Sequence, residues 1–537
     1  MTWHGVVLSP GWMLLDRRDT PLPTSVPTAR TRGGCGCVTT RSRRDEATRG
    51  TPSGPARRPG PASGIVRGVS SRVVVVIGAG IAGLAAAWEL TRAADPPHVV
   101  VLEGSPVLGG KLRTASVAGQ GIDVGAESVL ARRPEALDLL AEAGLTPGIV
   151  HPTGATATIW SRGRHWRLPP RTLMGVPSDP STALGILTEA EVDRLEHEFL
   201  SAPVESDVSV GDFVESRVGP AVVDRLVEPL LAGVYAGHAR HLSLQATVPA
   251  LWAAATRGTG LVEAAVHAAH VSAPATPVFA GYRGGLGLTV VHLAERLCAA
   301  GVELRTDATV RDLTRTPTGW SLTLGPTTCP EQVLADAVVV ATPAPATARL
   351  LRHVAPAAAR SLGTVDYASM AVVTLALPRS TMAATLTGSG FLVPPTEPVK
   401  IKAATFSATK WAWVGALDPD LVHLRTSVGR AGETQVLQRD DADLVDLALG
   451  DLSTVLATTL PQPVDAHVQR WGGALPQYAV GHVDLVRETF AALETLPGLE
   501  LAGAAYEGVG VPACIASGRA AARRVLTHLG PAGAALE

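Results

Sequence analysis

Val73-Val74-Val75-Val76-Ile77-Gly78-Ala79-Gly80-Ile81-Ala82-Gly83 opens the first regular stretch of this 537-residue chain. Five β-branched apolar residues run into three glycines at G-x-G-x-x-G spacing, and an Ala-rich segment follows. Val73 to Ile77 reads as a buried parallel strand, Ala82 to Arg92 as a helix, and His98 to Leu102 as a second strand, which together make a βαβ unit. Each glycine has a physical reason. Gly78 permits the tight turn, Gly80 lets backbone amides approach a pyrophosphate, and Gly83 allows the helix to pack closely on the strand. The helix N-terminus, at Ile81 and Ala82, supplies N–H donors and partial positive charge to that anion. Glu103, ending the second strand, is placed to accept hydrogen bonds from ribose hydroxyls and would repel a 2′-phosphate. The segment therefore predicts a dinucleotide site on a Rossmann-like α/β domain.

Outward from this unit, residues 1–70 are dominated by Arg, Pro, Gly, Ser and Thr without helical or strand periodicity, and are expected to form a disordered extension. The apolar stretch near Val6 to Leu15 is broken by Pro10 and Gly11, which argues against a targeting signal and for a dispensable or over-extended start. After residue 71, strand-like and helix-like segments alternate. The expected division is a dinucleotide-binding domain in three parts (71–130, 241–345 and 466–530), a helical domain (131–240) and a β-richer substrate domain with a mixed sheet (346–465).

Composition limits the function classes. A net charge of -2 lacks the basic excess of a dedicated nucleic-acid binder. Although 46% of residues are apolar, no run reaches the roughly 18 to 20 residues of a bilayer-spanning helix, so a soluble chain is expected. Five cysteines without C-x-x-C spacing or a metal-ligand cluster fit a reducing cytoplasm, and no metal is expected.

Further glycine motifs extend the site. Gly109-Gly110-Lys111 follows Glu103 closely. Near the C-terminus, Gly503-Ala504-Ala505-Tyr506-Glu507-Gly508-Val509-Gly510-Val511-Pro512 leads into a small-residue helix, Ala513 to Leu526, a second helix N-terminus aimed at a cofactor.

Together with Ile122-Asp123-Val124-Gly125-Ala126-Glu127-Ser128, the stretch Glu228 to Gly237, Gly388 to Pro394, Lys410-Trp411, Gly429-Arg430 and Arg470-Trp471 with Ala474 to Tyr478, these motifs give the chain a recognisable pattern from Val73 to Leu526. It resembles the oxygen-dependent protoporphyrinogen and coproporphyrinogen III oxidases, flavoproteins of the amine-oxidase-like superfamily. The resemblance selects FAD over NAD and implies further FAD contacts at Gly110, Lys111, Gly125, Ala126, Glu127, Ser128, Val310, Val509, Gly510 and Val511. It also implies a porphyrinogen substrate, O2 as acceptor and six electrons removed in three hydride transfers to the flavin.

Arginine pairs bidentately with carboxylates, so Arg132 and Arg133 are expected to anchor the substrate propionates, with Tyr235 lining the pocket. Lys410 and Arg430 are further candidates. Water, exchange through the macrocycle or His482 could take the proton, and no catalytic residue is assigned. An Arg- and Ala-rich composition like that of high-GC actinobacterial proteins favours coproporphyrinogen III over protoporphyrinogen IX. A flavin amine oxidase, a desaturase and a non-enzymatic porphyrin-binding flavoprotein are the alternatives. Transient contact with a downstream chelatase and peripheral contact with a membrane remain open, and no nucleic-acid partner is expected.

Overall fold

The computed structural model describes residues 72–200, 202–271, 277–382 and 385–530. The extension expected over residues 1–70 lies outside the described residues.

Five strands form a parallel sheet: β1 (Val73–Ile77), β2 (His98–Leu102), β3 (Glu303–Arg305), β4 (Ala337–Val340) and β5 (Leu499–Leu501), in the order β3-β2-β1-β4-β5. Every residue of β1 is buried, as a central strand covered on both faces requires. Successive side chains of a strand point to opposite faces, and here they enter two cores. Val74, Val76, Val99 and Val101 pack with α1 (Ile81–Thr91), with α2 (Val511–Leu529) and with the helix Leu286–Ala299. Val73, Val75, Ile77 and Val100 pack against a three-stranded antiparallel sheet that includes Trp320 and Leu322.

α1 meets α2 at Gly518 and packs on the turn after β1 at Gly83. A Cβ on Gly518 of α2 would sit 2.0 Å from the carbonyl oxygen of Ala82, and one on Gly83 of α1 would sit 1.9 Å from that of Gly78. Neither approach is open to any other residue.

A seven-stranded mixed sheet forms the second layer. Its order is Asp465–Pro476, Tyr367–Pro378, Leu421–Val428, Ile401–Thr405, Gly390–Leu392, Ala157–Ser161 and Arg164–Arg167. Its last two strands are a hairpin arising within residues 131–240. One face is covered by the helix Asp441–Val455, which sets Leu444, Ala448 and Leu452 against Val373, Leu375 and Leu424. Two register shifts interrupt the pleat, between Ile401 and Ala403 and between Ala368 and Met370.

A helical layer closes the third side. Residues 220–235 run as one helix, with a π-helical turn over Val223–Val227 just before Pro229. That helix ends where Ala236 adopts a left-handed conformation (φ 49°). Its buried side joins a core with Phe213, Leu231, Leu242 and Tyr478. Among the described residues, no helix is long and apolar enough to cross a membrane.

Candidate active site

All three layers border one cavity of about 1120 Å³. At one end it meets the turn after β1. Gly78 has a positive φ of 101°, and a Cβ there would lie 2.9 Å from the carbonyl oxygen of Ala341. Gly80 is the opposite case: a Cβ would meet nothing within 4 Å, so its backbone faces open cavity. Gly80 caps α1 without a side-chain hydrogen bond, and an uncapped first turn leaves its amides for a ligand. Glu103 is fixed by the amides of Ala79 (2.8 Å) and Ser105 (2.9 Å). Each carboxylate oxygen keeps further acceptor capacity. Gly110 and Lys111 approach from the other side through a bridge between Gly80 and Gly109, and burial lowers the Lys111 pKa.

A second helix N-terminus faces the same space. Gly510 caps α2, again without a side-chain bond, and Val509, Gly510 and Val511 line the cavity. The loop before them is held by Tyr478, whose hydroxyl accepts from the Gly508 amide (2.8 Å) and donates to the Ala504 carbonyl (2.6 Å). Tyr478 stacks on His482 at 3.9 Å between ring centroids.

Between the two helix ends lies the segment Gly125 to Ser128. A Cβ on Gly125 would sit 2.0 Å from the Lys111 carbonyl oxygen, and the Trp471 indole donates to the Val124 carbonyl at 3.0 Å. Glu127 is paired with Lys410 (2.5 Å) and Arg425 (3.5 Å). Burial pushes the Glu127 pKa up, but the two opposed cations outweigh it and hold the carboxyl at about 2.

A pair of helix N-termini flanking glycine-lined space fits a dinucleotide: the backbone donors match its pyrophosphate, and the openings beside Gly80 and Gly510 leave room for it. Val234, Met370, Val372 and Leu392 add apolar surface to the remaining wall. Sequence comparison decides which dinucleotide. Residues 81–526 match the model of the flavin-containing amine oxidoreductases.

The chain belongs to that family, among the protoporphyrinogen and coproporphyrinogen III oxidases.

A flavin carried as a dinucleotide is FAD, which is the cofactor of this oxidoreductase. Coproporphyrinogen III oxidase from Mycobacterium leprae is 40% identical over 457 residues, spanning 84% of this chain and 98% of that protein. The Bacillus subtilis coproporphyrinogen III oxidase is 31% identical over 472 residues, spanning 85% and 98%. A solved Exiguobacterium sp. 255-15 structure, provisionally assigned as a protoporphyrinogen oxidase, superposes with a TM-score of 0.75 at 30% identity. It covers 86% of this chain and 100% of its own.

Within the flavoprotein, Gly78, Gly80, Ile81, Ala82, Glu103, Gly110, Lys111, Gly125, Ala126, Glu127, Ser128, Val310, Val509, Gly510 and Val511 all line the cavity. Gly83 lies behind them, at the contact with the Gly78 carbonyl. The structure does not bring Arg132, Arg133 or Tyr235 to the cavity wall. Arg133 caps the helix Pro134–Glu142 and pairs with Glu135 two residues on. Tyr235 is buried in the helical core, with its ring 5.6 Å from that of Tyr478. On the wall formed by the seven-stranded sheet, the lining cations are Arg425 and Lys402. Lys402 escapes sequence reasoning because it sits in an apolar strand whose register the sequence does not display.

Proposed function

We propose that this flavoprotein oxidises coproporphyrinogen III to coproporphyrin III in haem biosynthesis. The observation that carries this reading is the continuity of the cavity: FAD-binding turns at one end open directly onto an apolar chamber edged by cations. A porphyrinogen is a broad apolar macrocycle fringed by carboxylates, and it matches such a chamber in shape and charge. The names of the Mycobacterium leprae and Bacillus subtilis relatives support the same substrate.

FAD, when bound, supplies a hydride acceptor for each two-electron step and passes the electrons to O2, giving H2O2. The chain's own residues do the rest. Val234, Met370, Val372 and Leu392 present apolar surface to the macrocycle and keep water from it. Glu127, with Lys410 and Arg425, ties the segment Gly125 to Ser128 to the seven-stranded sheet and so sets one wall of the chamber against the other. His482 is stacked on Tyr478 and does not line the cavity, so in this reading it is not the acceptor of the ring N–H proton. A cytoplasmic location and hand-over of product to a chelatase belong to the same proposal.

Protoporphyrinogen IX, with two carboxylates instead of four, is the second reading, favoured by the Exiguobacterium structure. Initial rates of the purified, FAD-loaded protein on the two porphyrinogens, followed by porphyrin fluorescence, separate them. A faster rate on coproporphyrinogen III supports the proposal. An equal or reversed preference contradicts it.

A further inference from the structure

The strand Ile401–Thr405 pairs Ile401 with Val428 and Ala403 with Ser427, so Lys402 is the extra residue of a β-bulge. A bulge turns its extra side chain out of the regular alternation. As a result Lys402 and its neighbour Ala403 both line the cavity.

Lys402 is 4% exposed. Its ammonium donates to the Gly429 carbonyl at 2.9 Å and touches the Met370 sulfur at 3.9 Å. No carboxylate of the described residues lies within 4.0 Å of it. The neighbouring cations differ. Arg425 is held by Glu127 and by the Asp123 carbonyl, and Arg430 by Glu433 and by the Val393 carbonyl. A buried ammonium without a counterion is costly. Burial, followed by the positive charge of Arg430, lowers its pKa to about 7, and Glu433, beyond ion-pair distance, only partly opposes them. Such a group persists where a ligand brings the missing charge.

We infer that Lys402 receives a carboxylate of the substrate, acting as the propionate anchor on the sheet side of the chamber. This rests on the porphyrinogen reading and names a contact within it. The ammonium has three donors and commits one to a backbone oxygen, which leaves donors for a carboxylate.

The test uses the full-length, FAD-loaded protein with coproporphyrin III and its tetramethyl ester as equilibrium-binding probes, which require no turnover. Lys402→Met removes an uncompensated buried charge, so the variant is expected to fold, keep its FAD and melt no lower than wild type. Its Kd for coproporphyrin III should rise about tenfold or more, the worth of a charge-assisted hydrogen bond, while its Kd for the ester stays at the wild-type value. Lys402→Gln should show the same pattern. An unchanged Kd for the free acid in either FAD-loaded variant overturns the inference, and so does an equal loss for acid and ester. Turnover of coproporphyrinogen III by the wild type reports on the substrate reading independently, because binding of the free acid is measured without it.

Discussion

Lys410 Nζ lies 2.5 Å from Glu127 Oε1, although the two residues are 283 positions apart in the chain. The contact joins the segment Gly125 to Ser128, on the cavity wall, to the seven-stranded sheet, with Arg425 as a second cation on the same carboxylate. Removing the carboxylate leaves both cations buried without their shared counterion.

Glu127→Gln should therefore lower stability by about 3 kcal/mol. The measurement is denaturant unfolding of the FAD-loaded protein. A loss under about 0.5 kcal/mol, the range of ordinary surface substitutions, would show that the pairing is incidental.

The same carboxylate predicts an acid response. Its folded pKa of about 2 lies below the ordinary 4.5. A depressed pKa of this kind contributes stability that is fully present above pH 4.5 and is lost as pH falls from there toward 2. Wild-type Tm should thus fall more steeply across that window than the Tm of Glu127→Gln, in which the group does not titrate. Parallel curves would contradict the assignment.

Close backbone contact at the glycines is also testable. A methyl group at Gly518 would overlap the Ala82 carbonyl at 2.0 Å, in the first turn of the helix that Gly80 caps. Gly518→Ala should cost about 2 kcal/mol or more and weaken retention of FAD on gel filtration. Gly80→Ala, placed over open cavity, should leave Tm nearly unchanged while reducing FAD affinity, a split that a purely structural glycine would not show.

Tyr478 connects the helical core to the second cofactor-facing loop. Tyr478→Phe strands the Gly508 amide and the Ala504 carbonyl. Leaving such groups unsatisfied costs about 1–3 kcal/mol, and part of that should appear as weaker FAD binding when the apoprotein is titrated with the cofactor. FAD affinity equal to wild type would show that the loop holds its shape without the hydroxyl.

The cofactor end of the site was legible in the sequence because it is written in local spacing. Gly78, Gly80 and Gly83 follow a strand and open a helix, and each acts through the backbone, so their geometry follows from a few consecutive residues. The opposite end is assembled by tertiary pairing. Lys402 reaches the cavity through a bulge that depends on how Ile401–Thr405 registers against Leu421–Val428, which no local pattern reveals. Arg132 and Arg133 read as carboxylate receptors from their guanidinium chemistry and their place just beyond Gly125 to Ser128. Glu135 stands two residues beyond Arg133 and takes it as a partner at the helix start, a local competitor visible in the sequence. The hairpin Ala157–Ser161 and Arg164–Arg167 is a similar case: its place in the seven-stranded sheet is set by pairing with Gly390–Leu392, more than 200 residues away.

If the proposed function holds, a porphyrinogen reduces the FAD held in this cavity. Mixing the purified, FAD-loaded protein with coproporphyrinogen III under strictly anaerobic conditions tests it most directly, with the visible flavin absorbance followed during mixing and after admission of air. The flavin should bleach on anaerobic mixing, each FAD taking two of the six electrons, and coproporphyrin fluorescence should develop as the flavin colour returns once O2 enters. Flavin that stays oxidised in the presence of the porphyrinogen would contradict it.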